Sequence, residues 1–376
     1  MAKRRISSGE ISVGQKLPWD VFDPDGRLLL RRGQLIDTSH KVEGLIARGL
    51  FVEGDPLRSR NEPPPAQQKT ALSQILEARR RLERACSDHA SKDQFVDQVK
   101  HIVMLIRNAC KLSQDVALAS ILLHSEGRYS IKHSVDAALV SHVVGNFSGM
   151  QNAELMSVTS AALTMNISML DLQDDFQNRD KPLKPEERQT IQRHPDESVA
   201  VLRHYYGVPD ELWLQAVQDH HEAIDGSGYP LQKTGENLLM PTRIVSLSDI
   251  YCARVSGRTY RAPLRPNDAL RDIFFGHGTS VETFLAAQFI KALGVFPPGI
   301  PVRLNNGEIA IVIHQGAKAS IPVVSAVISP HGIRLPVPIK RDTGIPLYAV
   351  RESAHLGDLG GKVSMQALWG KEGEES

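Results

Sequence analysis

The sequence predicts a mainly α-helical protein, a helical bundle preceded by a small β-rich unit and followed by a short β-rich extension. Three observations carry this. Apolar residues recur at helical spacing from Gln67 to about Leu293, as in Leu72, Ile75, Leu76, Ala78 and Leu82, then Phe95, Val99, Ile102, Val103 and Ile106. A Pro-rich, charged stretch with Pro56, Pro63, Pro64 and Pro65 precedes that region. After Gly294 the apolar residues fall into short runs separated by turn dipeptides, the pattern of strands.

Taken in order, residues 1–55 form the first unit. Its apolar runs Leu17 to Phe22 and Leu28 to Leu30 flank Asp23-Pro24-Asp25-Gly26, a turn in which Pro sets φ and Gly tolerates a positive φ. A short helix is expected from Lys41 to Arg48, closed by Gly49. Residues 56–66 are a linker, and residues 67–293 the helical region. One helix there carries Ile131, Val135, Ala138, Leu139 and Val143 on one face, and others are expected at 152–166, 185–204, 210–222, 242–256, 266–275 and 281–293. Pro195 is expected to break or kink the 185–204 helix. In the extension, 294–368, strands are expected at 302–304, 309–314, 322–328, 333–336 and 346–350, with a frayed, disordered tail at 369–376.

Composition narrows the function classes. The chain has 376 residues, 41% apolar and 23% charged, with a formal net charge of +1, so nothing marks it as a nucleic-acid binder. Cys86, Cys110 and Cys252 are scattered without metal-type spacing, which suits a reducing cytoplasm and argues against a disulfide framework. No run of about 18 apolar residues is present, so no membrane insertion is expected.

The most informative stretch is His220-His221-Glu222-Ala223-Ile224-Asp225-Gly226-Ser227-Gly228-Tyr229-Pro230. Adjacent helical residues point about 100° apart, so two neighbouring histidines reach one ion only at a helix end or irregular turn, which the glycines permit. The string resembles the signature of the bacterial HD-GYP family, proteins with an HD-type helical bundle that hydrolyse cyclic di-GMP. The resemblance extends over roughly residues 115–295 in the right order. His133 matches the family's first metal-ligand histidine, His194 before Pro195 its His-Pro ligand, and Asp249 its closing aspartate; Arg258-Thr259-Tyr260-Arg261 resembles the basic element that follows. It implies that His133, His194, His220, His221 and Asp249 are metal ligands. In the family, two or three metals, often iron or manganese, lower the pKa of a water and neutralise the phosphate.

The chain departs from the pattern at the family's namesake His-Asp. Where members read Leu-His-Asp-Ile-Gly-Lys, this sequence has Leu163-Thr164-Met165-Asn166-Ile167-Ser168-Met169. Met165 replaces the histidine, Asn166 the bridging aspartate and Met169 the phosphate-facing lysine, while Tyr129 stands where some members carry an acidic ligand. A thioether is soft and neutral, ill-suited to hard divalent ions. Asparagine lacks the charge that keeps two cations close. The expectation is at most one divalent metal (Fe, Mn or Zn) on the three histidines, no full binuclear centre, and no catalytic residue at Met165, Asn166 or Met169. The alternative is that the histidines only hydrogen-bond inside the bundle.

The resemblance also implies a nucleotide surface: Tyr229 and Pro230 beside a base, with Lys233, Arg243, Arg258 and Arg261 toward the phosphates of a cyclic dinucleotide. The competing reading is that Arg243 and Arg258 cap or salt-bridge the bundle. The expected function is a degenerate, non-hydrolytic HD-GYP regulator in the cytoplasm, binding cyclic di-GMP or a signalling protein such as a diguanylate cyclase. The alternatives are a weak cyclic di-GMP phosphodiesterase with an atypical metal centre and a ligand-free interaction scaffold.

Overall fold

The computed structural model describes residues 3–5, 11–17, 19–23, 25, 27–38, 40–42, 45, 51–53, 69–87, 92–180, 182–256, 263–275, 283–316 and 318–375. The chain divides into two compact units, Met1–Gln68 and Lys69–Ser376.

The first unit holds a four-stranded sheet of β1 (Lys3–Arg5), β2 (Val21–Phe22), β3 (Leu28–Leu30) and β4 (Phe51–Glu53), in the order β1-β4-β2-β3. The expected β2–β3 hairpin forms: Asp23 donates its N–H to the Arg27 carbonyl at 2.9 Å, and its carboxylate accepts the Arg27 N–H at 2.7 Å. Ile11, Leu17, Val21, Ile36 and Leu45 make a small core. Residues 40–42 are helical; Gly49 and the linker at 56–66 lie outside the described residues.

The second unit is the helical bundle with its sheet. Its helices are α1 (Ala71–Ala85), α2 (Phe95–Leu123), α3 (Tyr129–Phe147), α4 (Asn152–Thr164), α5 (Leu170–Asn178), α6 (Pro185–Ala200), α7 (Glu211–Asp219), α8 (Met240–Val255), α9 (Pro266–Phe275) and α10 (Thr283–Leu293). Helix α3 is buried on every side from Ser130 to Gly145 and so runs through the core. Its two buried charged residues, Lys132 and Asp136, are satisfied together: Asp136 accepts from Lys132 and, at 2.9 Å, from the buried Arg79 of α1. Helix α5 was not expected; a single turn at Ile167–Met169 precedes it. Residues 152–178 together are long and apolar enough to cross a membrane by length and composition, but 67% of the most apolar window is buried inside the protein, as in a core segment.

Pro195 does not break α6, which continues to Ala200. A proline at 195 leaves the Ile191 carbonyl without its helical N–H partner. The His194 side chain fills that role, its Nδ1–H donating to Ile191 O at 2.5 Å.

Strands β5 (Pro301–Leu304), β6 (Ile309–His314), β7 (Val323–Ile328), β8 (Arg334–Asp342) and β9 (Val350–Ser353) form an antiparallel sheet in the order β8-β7-β6-β5-β9. The strand expected at 346–350 is instead a helical turn at Pro346–Tyr348, with β9 starting at Val350. Alternation splits β6: Ala310 and Val312 join the core of the bundle, whereas Ile309, Ile311 and Ile313 pack with Leu359 and Leu368. The boundary expected at 293/294 therefore does not separate two packing units. The expected disordered tail is also corrected. A last helix, α11 (Met365–Trp369), buries Met365 and Leu368, and the residues after it close on α1, where Glu372 accepts the Ala71 N–H at 2.9 Å and the Glu374 carbonyl accepts the Thr70 hydroxyl at 2.6 Å.

Candidate metal centre

Four elements bring their histidines and an aspartate to one buried place. His133 comes from the middle of α3, His194 from α6, and Asp249 from α8. Helix α7 ends at Asp219, so His220 is its C-cap and His221 follows in the turn, which frees the adjacent pair from helical divergence. Their ring centroids lie 4.2 Å apart, and those of His194 and His221 lie 5.1 Å apart. One ligand atom from each of His194, His220 and His221 lies within 4.8 Å of the others.

The hydrogen bonds prepare two of these imidazoles as ligands. His194 gives its Nδ1–H to Ile191 O, and His220 gives its Nδ1–H to Val217 O at 2.7 Å. Both Nε2 atoms then carry lone pairs, and they face each other at 3.0 Å. Two such nitrogens repel unless something electrophilic lies between them. Ligands at about 2.0–2.1 Å from one ion stand roughly 3.0–3.4 Å apart, so the pair fits a divalent metal. Burial first, then the neighbouring His220 imidazole, pushes His194 down to about 3. Burial also lowers His220 and carries His221 well below the usual histidine range, so all three are neutral, as ligands must be.

The other half of the expected set is differently arranged. His133 Nε2 and Asp249 Oδ1 are hydrogen-bonded to each other at 2.7 Å. Burial alone would raise the Asp249 carboxyl, but the His133 bond and the surrounding imidazoles hold it below the usual carboxylate range. His133 Nδ1 is buried without a hydrogen-bond partner. Met165 is completely buried, as the cap of α4, and belongs to the apolar core. Asn166 is 2% exposed, with its Oδ1 unpartnered. Ser168 binds the neighbouring α6 through its hydroxyl, which lies 2.9 Å from Ser198 Oγ and donates to His194 O at 3.1 Å. Met169 is half-buried at the start of α5.

The glycine-rich loop folds back onto the histidines. Tyr229 stacks on His221 with centroids 4.7 Å apart, and its N–H donates to His221 O at 3.1 Å. A Cβ on Gly228 would lie 2.4 Å from Ala223 N and 2.6 Å from His221 O, so only glycine allows this approach. Pro230 is half-buried beside it. Two carboxylates that sequence reasoning passed over organise the loop. Glu222, 6% exposed, accepts the Leu231 N–H at 2.5 Å and the Lys233 N–H at 3.0 Å. Asp219, fully buried, accepts the Lys233 ammonium at 2.7 and 2.8 Å. Their position on either side of the His-His pair was the available signal. Lys233 thus neutralises a protein carboxylate, and Arg243 donates from Nε to Leu238 O at 2.8 Å, closing the end of the loop. Arg258 and Arg261 lie outside the described residues.

This is the geometry of a helical bundle that converges three histidines able to hold a metal ion, and comparison with known proteins finds similar bundles. Residues 116–280 match the HD domain family. A cyclic di-GMP phosphodiesterase of Pseudomonas aeruginosa is 25% identical over 252 residues, 67% of this chain and 58% of the relative. One of Borreliella burgdorferi is 23% identical, covering 53% of this chain and 52% of the relative, and a 3'3'-cGAMP-specific phosphodiesterase of Vibrio cholerae is 25% identical over 47% and 38%. The chain thus spans about half the length of these curated relatives. Among solved structures, an HDG"Y"P protein from Bdellovibrio bacteriovorus shares the fold, with a TM-score of 0.50 and 14% identity, covering 78% of this chain and 99% of that one. The helical region thus has an HD-type fold, and its sequence is similar to that of the HD domain over residues 116–280.

Proposed function

We propose that this chain is a cyclic di-GMP signalling protein that holds a single divalent ion on His194, His220 and His221 and binds the nucleotide without the hydrolytic rate of an intact binuclear enzyme. The observation that carries this reading is the asymmetry of the centre. Three neutral histidines converge, while His133 and Asp249 bond to each other, and the positions matching the family's His-Asp are the buried Met165 and Asn166. The three relatives described above are named for cleaving cyclic dinucleotides, which supports the ligand class. When bound, a divalent ion supplies Lewis acidity toward a phosphate oxygen. Tyr229, stacked on His221, offers an aromatic edge to a base, and the loop held by Glu222 and Asp219 is ordered in advance of binding.

One observation favours a second reading, a weak phosphodiesterase. His133 Nδ1 and Asn166 Oδ1 are buried acceptors without partners, and a second ion would take up their lone pairs. Metal content per chain, calorimetry with cyclic di-GMP with and without manganese, and product analysis of the same sample separate the two. One ion, saturable binding and intact nucleotide are expected. Two ions with linearised product would establish the second reading, and no heat of binding would leave a ligand-free scaffold.

A further inference from the structure

A cavity of about 130 Å³ opens between α2, α3 and α4, lined by Arg107, Lys111, Gln114, His142, Asn146 and Asn152 together with Cys110, Val143 and Leu155. It sits where α2 is interrupted, at Ser113, whose φ of −160° and ψ of 104° are not helical. His142 lies nine residues beyond His133 on α3, about 13 Å along the helix, so this is a different place from the histidine cluster.

The lining has an unusual charge balance. It contains two cations and no acid. Other cations near these helices are paired: Arg79 of α1 with Asp136, Arg81 of α1 with Glu77, and Arg128, just before α3, with Asp174. Arg107 and Lys111 form no ion pair among the described residues. Half-buried guanidinium is partly desolvated and gains from an oxyanion, to which it presents a fork of donors. Gln114, Asn146 and Asn152 add side-chain amides.

His142, 6% exposed, sets the second requirement. The Thr159 hydroxyl donates to Leu155 O at 2.6 Å, so its oxygen can only accept from His142 Nδ1, 3.3 Å away. The hydrogen is therefore on Nδ1, and Nε2 keeps a lone pair that meets no partner among the described residues. Burial, with the charges of Arg107 and Lys111, keeps the ring neutral. A ligand filling the cavity is best matched when it offers negative oxygens to two cations and one hydrogen to the His142 Nε2 lone pair. Sulfate and carboxylates have no such hydrogen at neutral pH. A phosphate group in its singly protonated form has both. The space is several times the roughly 10–15 Å³ that one water needs, so a tetrahedral anion fits.

We propose that this cavity is a phosphate site, for inorganic phosphate or a small phosphomonoester, in which Arg107 and Lys111 hold the anion and His142 Nε2 accepts the P–OH hydrogen. Calorimetric titration at constant ionic strength with sodium phosphate, glycerol 3-phosphate and sodium sulfate tests it. Phosphate should saturate and bind at least tenfold more tightly than sulfate; a further gain with glycerol 3-phosphate identifies an organic monoester, its absence inorganic phosphate. Arg107→Gln with Lys111→Gln should weaken phosphate at least tenfold and leave the metal content unchanged. His142→Phe should erase the preference over sulfate. His221→Ala should not alter phosphate binding, which separates this cavity from the metal centre. Lys111→Gln alone, at an exposed position, should keep the urea midpoint of the parent, so its weaker binding is read on a folded protein. No saturable phosphate binding, equal affinity for sulfate, or an unaltered affinity in the double variant would overturn the proposal.

Discussion

At the level of single residues, the site is decided by atoms that cannot move. Gly228 is the clearest. The atoms that a Cβ would meet, Ala223 N, Glu222 Cα and His221 O, are all backbone, so no flexible side chain can yield. Gly228→Ala must part the loop from the end of α7, breaking the bond from Tyr229 N to His221 O and tilting the imidazole of His221. The expected result is at least about tenfold weaker metal retention, a loss of about 1.4 kcal/mol or more, measured by metal content after dialysis against a competing chelator. Gly357→Ala, which meets nothing within 4 Å, is the control and should match the parent. Met165 and Asn166 pose the opposite question, whether a second ligand set can be rebuilt. Met165 fills core volume, and Asn166 already leaves an oxygen unpartnered. Met165→His with Asn166→Asp adds an imidazole and the missing anionic bridge. Metal analysis should rise from about one ion per chain to two; an unchanged content would mean that the residues around the ligands no longer support that half.

At the level of elements, His142 on the buried helix α3 carries a pH dependence. Burial first, then the charges of Arg107 and Lys111 on α2, push it down to about 4, from 6.5 in an open chain. On its α4 side it meets the Thr159 hydroxyl, with no charged residue in the cavity lining there. Above 6.5 neither folded nor unfolded chain binds this proton, so the contribution is nil. As pH falls through 6.5 the unfolded chain takes the proton and the folded one does not. Stability is therefore lost, by about 2 kcal/mol at pH 5 and about 3 kcal/mol once pH is below 4. Urea unfolding at pH 7.5 and 5 should show His142→Gln losing about 2 kcal/mol less than the parent over that interval. An equal loss in both proteins would assign the acid sensitivity to other groups. This depression was not legible in the sequence, where His142 has no partner spacing; it comes from burial, and then from charges of α2, both set by packing. The helices themselves were legible, because their apolar repeat is local. Helix α5 was missed because Leu170–Asn178 buries only Gln173 and Phe176 and so writes almost no periodic stripe.

At the scale of the whole second unit, the same distinction between local and distant signals explains the rest. The His220 to Pro230 string, a continuous stretch, announced the site, and His133, His194 and Asp249 followed from it. The roles of Lys233 and of the C-terminal residues were hidden because their partners are set by tertiary contacts: Asp219 for the first, α1 for the second. Polar composition made residues 369–376 look like a free end, yet α1 has no acidic residue in its first turn, and Glu372, from the far end of the chain, supplies the anion there. That carboxylate satisfies an N–H which the helix itself cannot, and it opposes the positive end of the helix dipole. Together with the Thr70 bond to Glu374 O, this closure contributes about 1–3 kcal/mol. For a unit of this size each kcal/mol shifts the midpoint by roughly 2 °C, so deletion of 370–376 should lower the unfolding temperature by roughly 2–6 °C. Glu372→Ala should show a smaller drop, and Glu372→Gln, which keeps an oxygen to accept from Ala71, a smaller one still. Calorimetric scans of the three variants beside the parent provide the ranking. A deletion that unfolds at the parent's temperature would show that the last turn rests on α1 without stabilising it, and that solvent satisfies the Ala71 N–H as well as Glu372 does.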